Sequence, residues 1–156
     1  TDLARELGVL ERVRMIGVVD DVAPYLRGAD LLLLPSENEA FGLVALEALA
    51  ASVPVIASRV GGLPEVVEHG VSGYLYSPGD VEGMARQAVT LLRDPALAER
   101  IGCAGAERAT TQFPPERIVP QFEALYRRVL GLPVDAEPEI DTGDAHAESV
   151  SLARRA

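Results

Sequence analysis

At 156 residues, 48% of them hydrophobic, the chain is long enough to bury one core of its own. Its formal net charge is −10, and its fourteen basic residues, all Arg, form no stripe able to displace counterions from nucleic acid or an anionic membrane. Binding to nucleic acid is therefore excluded as an expectation, and an anionic ligand would have to be held by local features.

In chain order, residues 2–7 read as a helix closed by Gly8. Because a helix already occupies the first residues, the chain is expected to begin partway through a longer protein. Arg14, Met15 and Ile16, following Val13, read as a strand that ends at Gly17. A helix is expected near 22–28. The run Asp30-Leu31-Leu32-Leu33-Leu34-Pro35 has no polar alternation, which predicts a central parallel strand buried on both faces. Helix 42–52, strand 54–57, helix 63–69 and strand 73–76 follow. This alternation of short apolar runs with helical patterns is the mark of βαβ units: an α/β fold with a Rossmann-like parallel sheet and helices on both faces.

From Val81 onward only helices are predicted, at 80–93, 95–111 and 115–130. Asp80 is the expected N-cap of the first, and Pro95 stands in the first turn of the second. Helix 115–130 spaces Ile118, Val119, Phe122, Leu125, Tyr126 and Val129 as a core-facing stripe, part of whose apolar face is expected to be exposed in this chain. Beyond Pro133 periodicity is lost. Six acids and two Arg there contribute −4 of the net charge. The domain is therefore read as 1–131, and 132–156 as an acidic tail expected to be disordered.

The informative segment runs from Pro35 to Ser52. It follows the carboxyl end of an apolar strand, where open α/β sheets place ligands. A polar loop with Gly42 at the helix entrance leaves backbone N–H groups unpaired, so the helix N-terminus can receive a phosphate without any Lys. Within 42–52, Glu47 is the sole charge on an otherwise apolar helix, which predicts a buried carboxylate in need of a polar partner. Two partners fit: an Arg of the chain, such as Arg59, or a ligand. Glu47 lies five residues past Gly42, ~7.5 Å along the axis at ~1.5 Å per residue, about the reach from a diphosphate to its ribose. Glu39, before the helix, is placed to face a sugar on the other side.

These residues resemble a known family. Glu39-x7-Glu47, with Phe41-Gly42-Leu43 between, is similar to the E-x7-E motif of retaining glycosyltransferases of family 4, which have two facing Rossmann-like domains in the GT-B fold. The likeness continues through Gly17 to Asp21, Ala29-Asp30, Val53 to Ile56, Val60-Gly61-Gly62-Leu63-Pro64-Glu65, Gly70-x-x-Gly73-Tyr74-Leu75 and Pro78-Gly79-Asp80, and covers residues 1 to about 130. Within the family, Phe41 to Val44 and Ile118 to Tyr126 resemble the branch that joins N-acetylglucosamine to L-malate at the start of bacillithiol synthesis.

The resemblance implies the carboxyl-terminal, donor-binding domain of a hexosyltransferase, incomplete at its start. Its substrate would be UDP-GlcNAc or another UDP-hexose, and its acceptor would be held by an amino-terminal domain of the same polypeptide. It further implies that Glu39 contacts the donor sugar as the catalytic carboxylate and that Glu47 binds the ribose. Phe41, Gly42, Leu43 and Val44 would hold the distal phosphate and sugar, and Val18 or Val19 would line the base pocket. The Arg and Lys that neutralise the diphosphate in the family would precede Thr1, so this chain alone is expected to be inactive. Where the family commonly has Cys-Gly after the motif helix, this chain has Ala51-Ser52, so the helix is expected to end without a left-handed glycine, at some cost in stability. A sugar-nucleotide 2-epimerase of the same architecture and a non-catalytic nucleotide-sugar-binding module are the alternatives.

The remaining residues carry less. Cys103 is the only cysteine, which excludes a disulfide framework and makes a reducing cytoplasm the expected compartment. No apolar run approaches the ~20 residues of a membrane span, and no leader-like start is present, so membrane association is not expected. There is no Asp-x-Asp pair and no tight His, Cys or carboxylate cluster, which predicts metal independence and no cofactor. His69 is read as a surface residue at a helix end, His146 as inert in the tail, and Cys103 as packing in or on a carboxyl-terminal helix. Gly61-Gly62 serves either close approach to a sugar phosphate or a turn before Pro64.

Overall fold

The computed structural model describes residues 2–133, so the expected disorder of the acidic tail, and His146 with it, lies outside the described residues. The chain divides into two compact units, with the boundary between Ala109 and Thr110.

The first unit holds a parallel three-stranded sheet in the order β1 (Leu32–Leu34), β2 (Val55–Ser58), β3 (Gly73–Tyr76). Leu33 is level with Ile56, and Ile56 with Tyr74. Parallel neighbours need crossover helices. α3 (Leu43–Ala50) lies between β1 and β2 in the chain, and α4 (Leu63–Val66) between β2 and β3. Before the sheet come α1 (Asp2–Glu6), a short 3-10 turn at Leu10–Arg12, and α2 (Ala23–Arg27). Asp21 opens α2 by accepting the Ala23 N–H at 2.9 Å.

Ile56 on β2 packs with Met84, Ala88 and Leu91 of α5 (Val81–Arg93) and with Ile101 of α6 (Pro95–Gln112). Strand alternation sends Val55 and Ala57 to the opposite face, and both are fully buried, so β2 is covered on both sides. Full burial of side chains such as Ile56, Leu91 and Ile101 stabilises the fold by about 2 kcal/mol each. Asp80 caps α5 as expected, accepting the Gly83 N–H at 2.9 Å.

The fold corrects four expectations. Residues 13–16 form no strand: Val13, Met15 and Ile16 are exposed, because a strand needs a partner for its N–H and C=O groups and among the described residues the sheet ends at β1. β1 is an edge strand, not the central one, and Leu33 is 47% exposed; the fully buried central strand is β2. α4 is one turn, ended at an extended Val67, so His69 sits beyond a helix end. His69 is exposed, yet its Nδ1 accepts the Leu75 N–H at 3.0 Å, and its ring meets Tyr74 and Tyr76 edge-on.

The fourth correction concerns the second unit. It contains α7 (Pro115–Val129), whose apolar residues Phe122, Leu125, Tyr126 and Val129 are exposed by half or more, so the exposure expected for part of the stripe extends over most of it. Helical periodicity selects a face; it does not say what covers that face.

Candidate donor-binding site

Two loops at the carboxyl ends of parallel strands flank a wide-open cavity of about 640 Å³, lined by Glu37, Asn38, Glu39 and Ala40 after β1 and by Val60 and Gly61 after β2. This is where the switch from strand to helix leaves room for a ligand.

Glycines bring the loops together. Gly61 adopts φ 51°, and a Cβ there would collide with the Glu39 carbonyl oxygen. A Cβ on Gly62 would lie 2.8 Å from the Ala40 carbonyl oxygen and 2.9 Å from the Phe41 Cα, and the Gly62 N–H donates to that same Ala40 oxygen at 3.1 Å. The pair therefore does more than turn the chain: it sets the backbone that carries Glu39, and Gly61 itself lines the cavity.

Glu39 is half-buried, and its Oε1 accepts the Gly42 N–H at 3.2 Å. Gly42 is the N-cap of α3 at φ 94°, a conformation that favours glycine. A side chain is also excluded by packing, since a Cβ would lie 2.6 Å from Cδ2 of Leu63 on α4. The Gly42 carbonyl accepts from Ala45 and Leu46. Among the described residues the next two N–H groups, of Leu43 and Val44, have no acceptor. The helix N-terminus thus presents two donors and the positive end of its dipole just after the loop that lines the cavity, although Phe41, Gly42, Leu43 and Val44 are not themselves among the lining residues.

Glu47 departs from expectation. α3 is not buried all round: Ala45, Ala48 and Leu49 face inward, whereas Leu43, Glu47 and Ala50 lie on an exposed face. The carboxylate needs no internal partner because water solvates it, and it forms no ion pair with Arg59 among the described residues. What remains is its place one turn past the unpaired donors, on the exposed face of α3; it is not among the residues that line the cavity. Val18 and Val19 fall in the irregular segment before α2, fully exposed and 36% exposed respectively, and they do not line the cavity. Glu37, Asn38 and Val60 do line it, although sequence reading passed over them; their only signal was membership of loops flanking a strand end.

Among the described residues no group of three or more His, Cys, Asp or Glu could hold a metal ion, and no helix is long and apolar enough to cross a membrane. Cys103 is exposed on α6.

A parallel sheet with a glycine-built loop and an open helix N-terminus at its carboxyl edge defines a Rossmann-like domain of the kind found in GT-B glycosyltransferases. Residues 1–108 match the family described as "Glycosyl transferases group 1", and the chain belongs to that family. It is 48% identical over 128 residues to N-acetyl-alpha-D-glucosaminyl L-malate synthase of Bacillus anthracis, covering 82% of this chain and 34% of that protein. Sucrose-phosphate synthase from Thermosynechococcus elongatus superposes with a TM-score of 0.77 at 39% identity, over 83% of this chain and 33% of that one. HepE from Anabaena, solved in complex with UDP, superposes at 0.75 and 29% identity, over 84% of this chain and 35% of that one. The chain thus spans about a third of the length of these relatives.

Proposed function

We propose that this chain is the donor-binding half of a retaining hexosyltransferase that takes UDP-GlcNAc or another UDP-hexose. The observation that carries the reading is the junction from Glu39 to Val44, where a carboxylate and two unpaired helix N–H groups share the carboxyl edge of β1. The likeness to HepE, solved with UDP and with UDP-glucose, supports the class of donor.

In this reading Leu43 and Val44 hold the distal phosphate with the Phe41–Gly42 backbone behind them, Glu47 binds the ribose, and Val18 or Val19 lies against the base. Glu39 positions the sugar and stabilises the positive charge that develops at its anomeric carbon. Donor and acceptor react on one face, so configuration is retained, and the leaving diphosphate helps to remove the acceptor's proton. Catalysis rests on placement and electrostatics, without a covalent intermediate on the protein and without a metal. The acceptor, L-malate by likeness to the Bacillus anthracis relative, is held by an amino-terminal domain of the same polypeptide.

Calorimetry of the full-length protein with UDP tests the reading. The wild type is expected to bind UDP, and Glu47→Ala to weaken it about tenfold through loss of hydrogen bonds to the ribose. Absence of UDP binding by the wild type would sink the donor-site reading, and unchanged affinity in the variant would remove the ribose role from Glu47.

A further inference from the structure

The side chains that line the cavity match one end of a nucleotide sugar and not the other. Glu37, Asn38 and Glu39 supply its polar side chains, Ala40, Val60 and Gly61 complete it, and none of these residues is basic. Two carboxylates repel a phosphate. The unpaired N–H groups of Leu43 and Val44, which suit a phosphate, follow a few residues later and stand outside the lining. The segment from Glu37 to Val44 therefore sorts a ligand by charge: an anion belongs at the helix N-terminus, and the cavity suits a neutral group rich in hydroxyls. Its volume of about 640 Å³ falls in the range of small-ligand clefts.

A hydroxyl both donates and accepts, whereas an ionised carboxylate only accepts. Glu37 and Glu39 can take hydroxyl protons but give nothing to the hydroxyl oxygens, and one oxygen of Glu39 already holds the Gly42 N–H at 3.2 Å. Among the lining side chains only the Asn38 amide has N–H groups to donate. It is exposed and makes no hydrogen bond among the described residues, so its donors are open to a ligand. Its backbone is held in place, because it directly precedes Glu39, whose carbonyl lies against Gly61.

We infer that Asn38 is a specificity-determining residue for the hexosyl group of the donor, donating its amide N–H to a sugar hydroxyl oxygen that the two carboxylates cannot serve. The inference rests on the donor-site reading above and deepens it by assigning the cavity to the sugar and the helix N-terminus to the diphosphate.

The test is calorimetry of the full-length protein with UDP, UDP-GlcNAc and UDP-glucose, for the wild type, Asn38→Ala and Asn38→Asp. Asn38 is exposed, so both variants should fold, and UDP affinity monitors the rest of the site. Asn38→Ala is expected to leave UDP unchanged and to weaken the sugar nucleotides about fivefold, the size of one hydrogen bond. Asn38→Asp keeps the shape but exchanges the donor for a third carboxylate, so its affinity for sugar nucleotides relative to UDP should fall at least as far. Sugar-nucleotide affinity unchanged in Asn38→Ala, equal losses for UDP and the sugar nucleotides, or a ratio preserved in Asn38→Asp overturns the role of Asn38 while the donor site stands. A wild type that binds no UDP overturns both.

Discussion

Ser52 shows how one residue reports the demands of its neighbours. It stands at φ 59°, and α3 closes through its N–H to the Leu49 carbonyl and the Val53 N–H to the Ala48 carbonyl. The sequence predicts a helix end without a left-handed glycine; the structure keeps the left-handed turn and places a serine in it. The turn cannot relax, because α6 lies against it: a Cβ on Gly102 would collide with the Ser52 carbonyl oxygen. Ser52→Gly should therefore raise stability by about 0.5–1 kcal/mol, the left-handed penalty less the entropy glycine loses on folding. A rise in the urea midpoint at constant slope would show it, and a fall would mean the strain is not there. Gly61→Ala is the converse. Its Cβ would enter the Glu39 carbonyl at a positive φ, so a loss of about 2 kcal/mol or more is expected, together with loss of UDP binding by the full-length protein. Unaltered binding in that variant would show that the glycine does not set the site.

At the scale of elements, α4 illustrates why a single turn can persist. Too short to stand alone, it is held from α6 by Arg108, which donates to the carbonyls of Glu65 and Val66 at 2.8 and 2.9 Å and reaches the Glu68 carboxylate at 3.2 Å. Because α4 also carries Leu63, which fills the space in front of Gly42, this anchor reaches the donor loop through packing. Arg108→Ala should cost about 1–2 kcal/mol, and hydrogen exchange should accelerate at residues 63–67 before it does in β2; uniform acceleration would argue against a local anchor. The cap of α5 is more self-contained. Asp80→Ala should cost about 1 kcal/mol, measured by thermal or urea unfolding, because one first-turn N–H loses its acceptor.

At the scale of the whole molecule, the chain spans about a third of the length of its relatives, and among the described residues β1 is an edge strand and the apolar stripe of α7 is exposed. Transfer needs an acceptor held against the donor, so the 156-residue chain by itself is expected to show no turnover of a sugar nucleotide; measurable product would refute that. Sequence alone determined what local chemistry determines. The alternation of apolar runs and helical periods named the parallel α/β sheet, Asp80 announced its cap, and the spacing of Glu39, Gly42 and Glu47 marked the strand-to-helix junction. Such signals depend on near neighbours in the chain, where hydrogen bonds and side-chain faces recur at fixed intervals. Only the tertiary structure decided that β2 rather than β1 is central, that residues 13–16 lack a partner, that Glu47 faces solvent, and that Gly61-Gly62 supports Glu39. Each of these depends on which distant segment lies alongside, and neither composition nor period encodes that proximity.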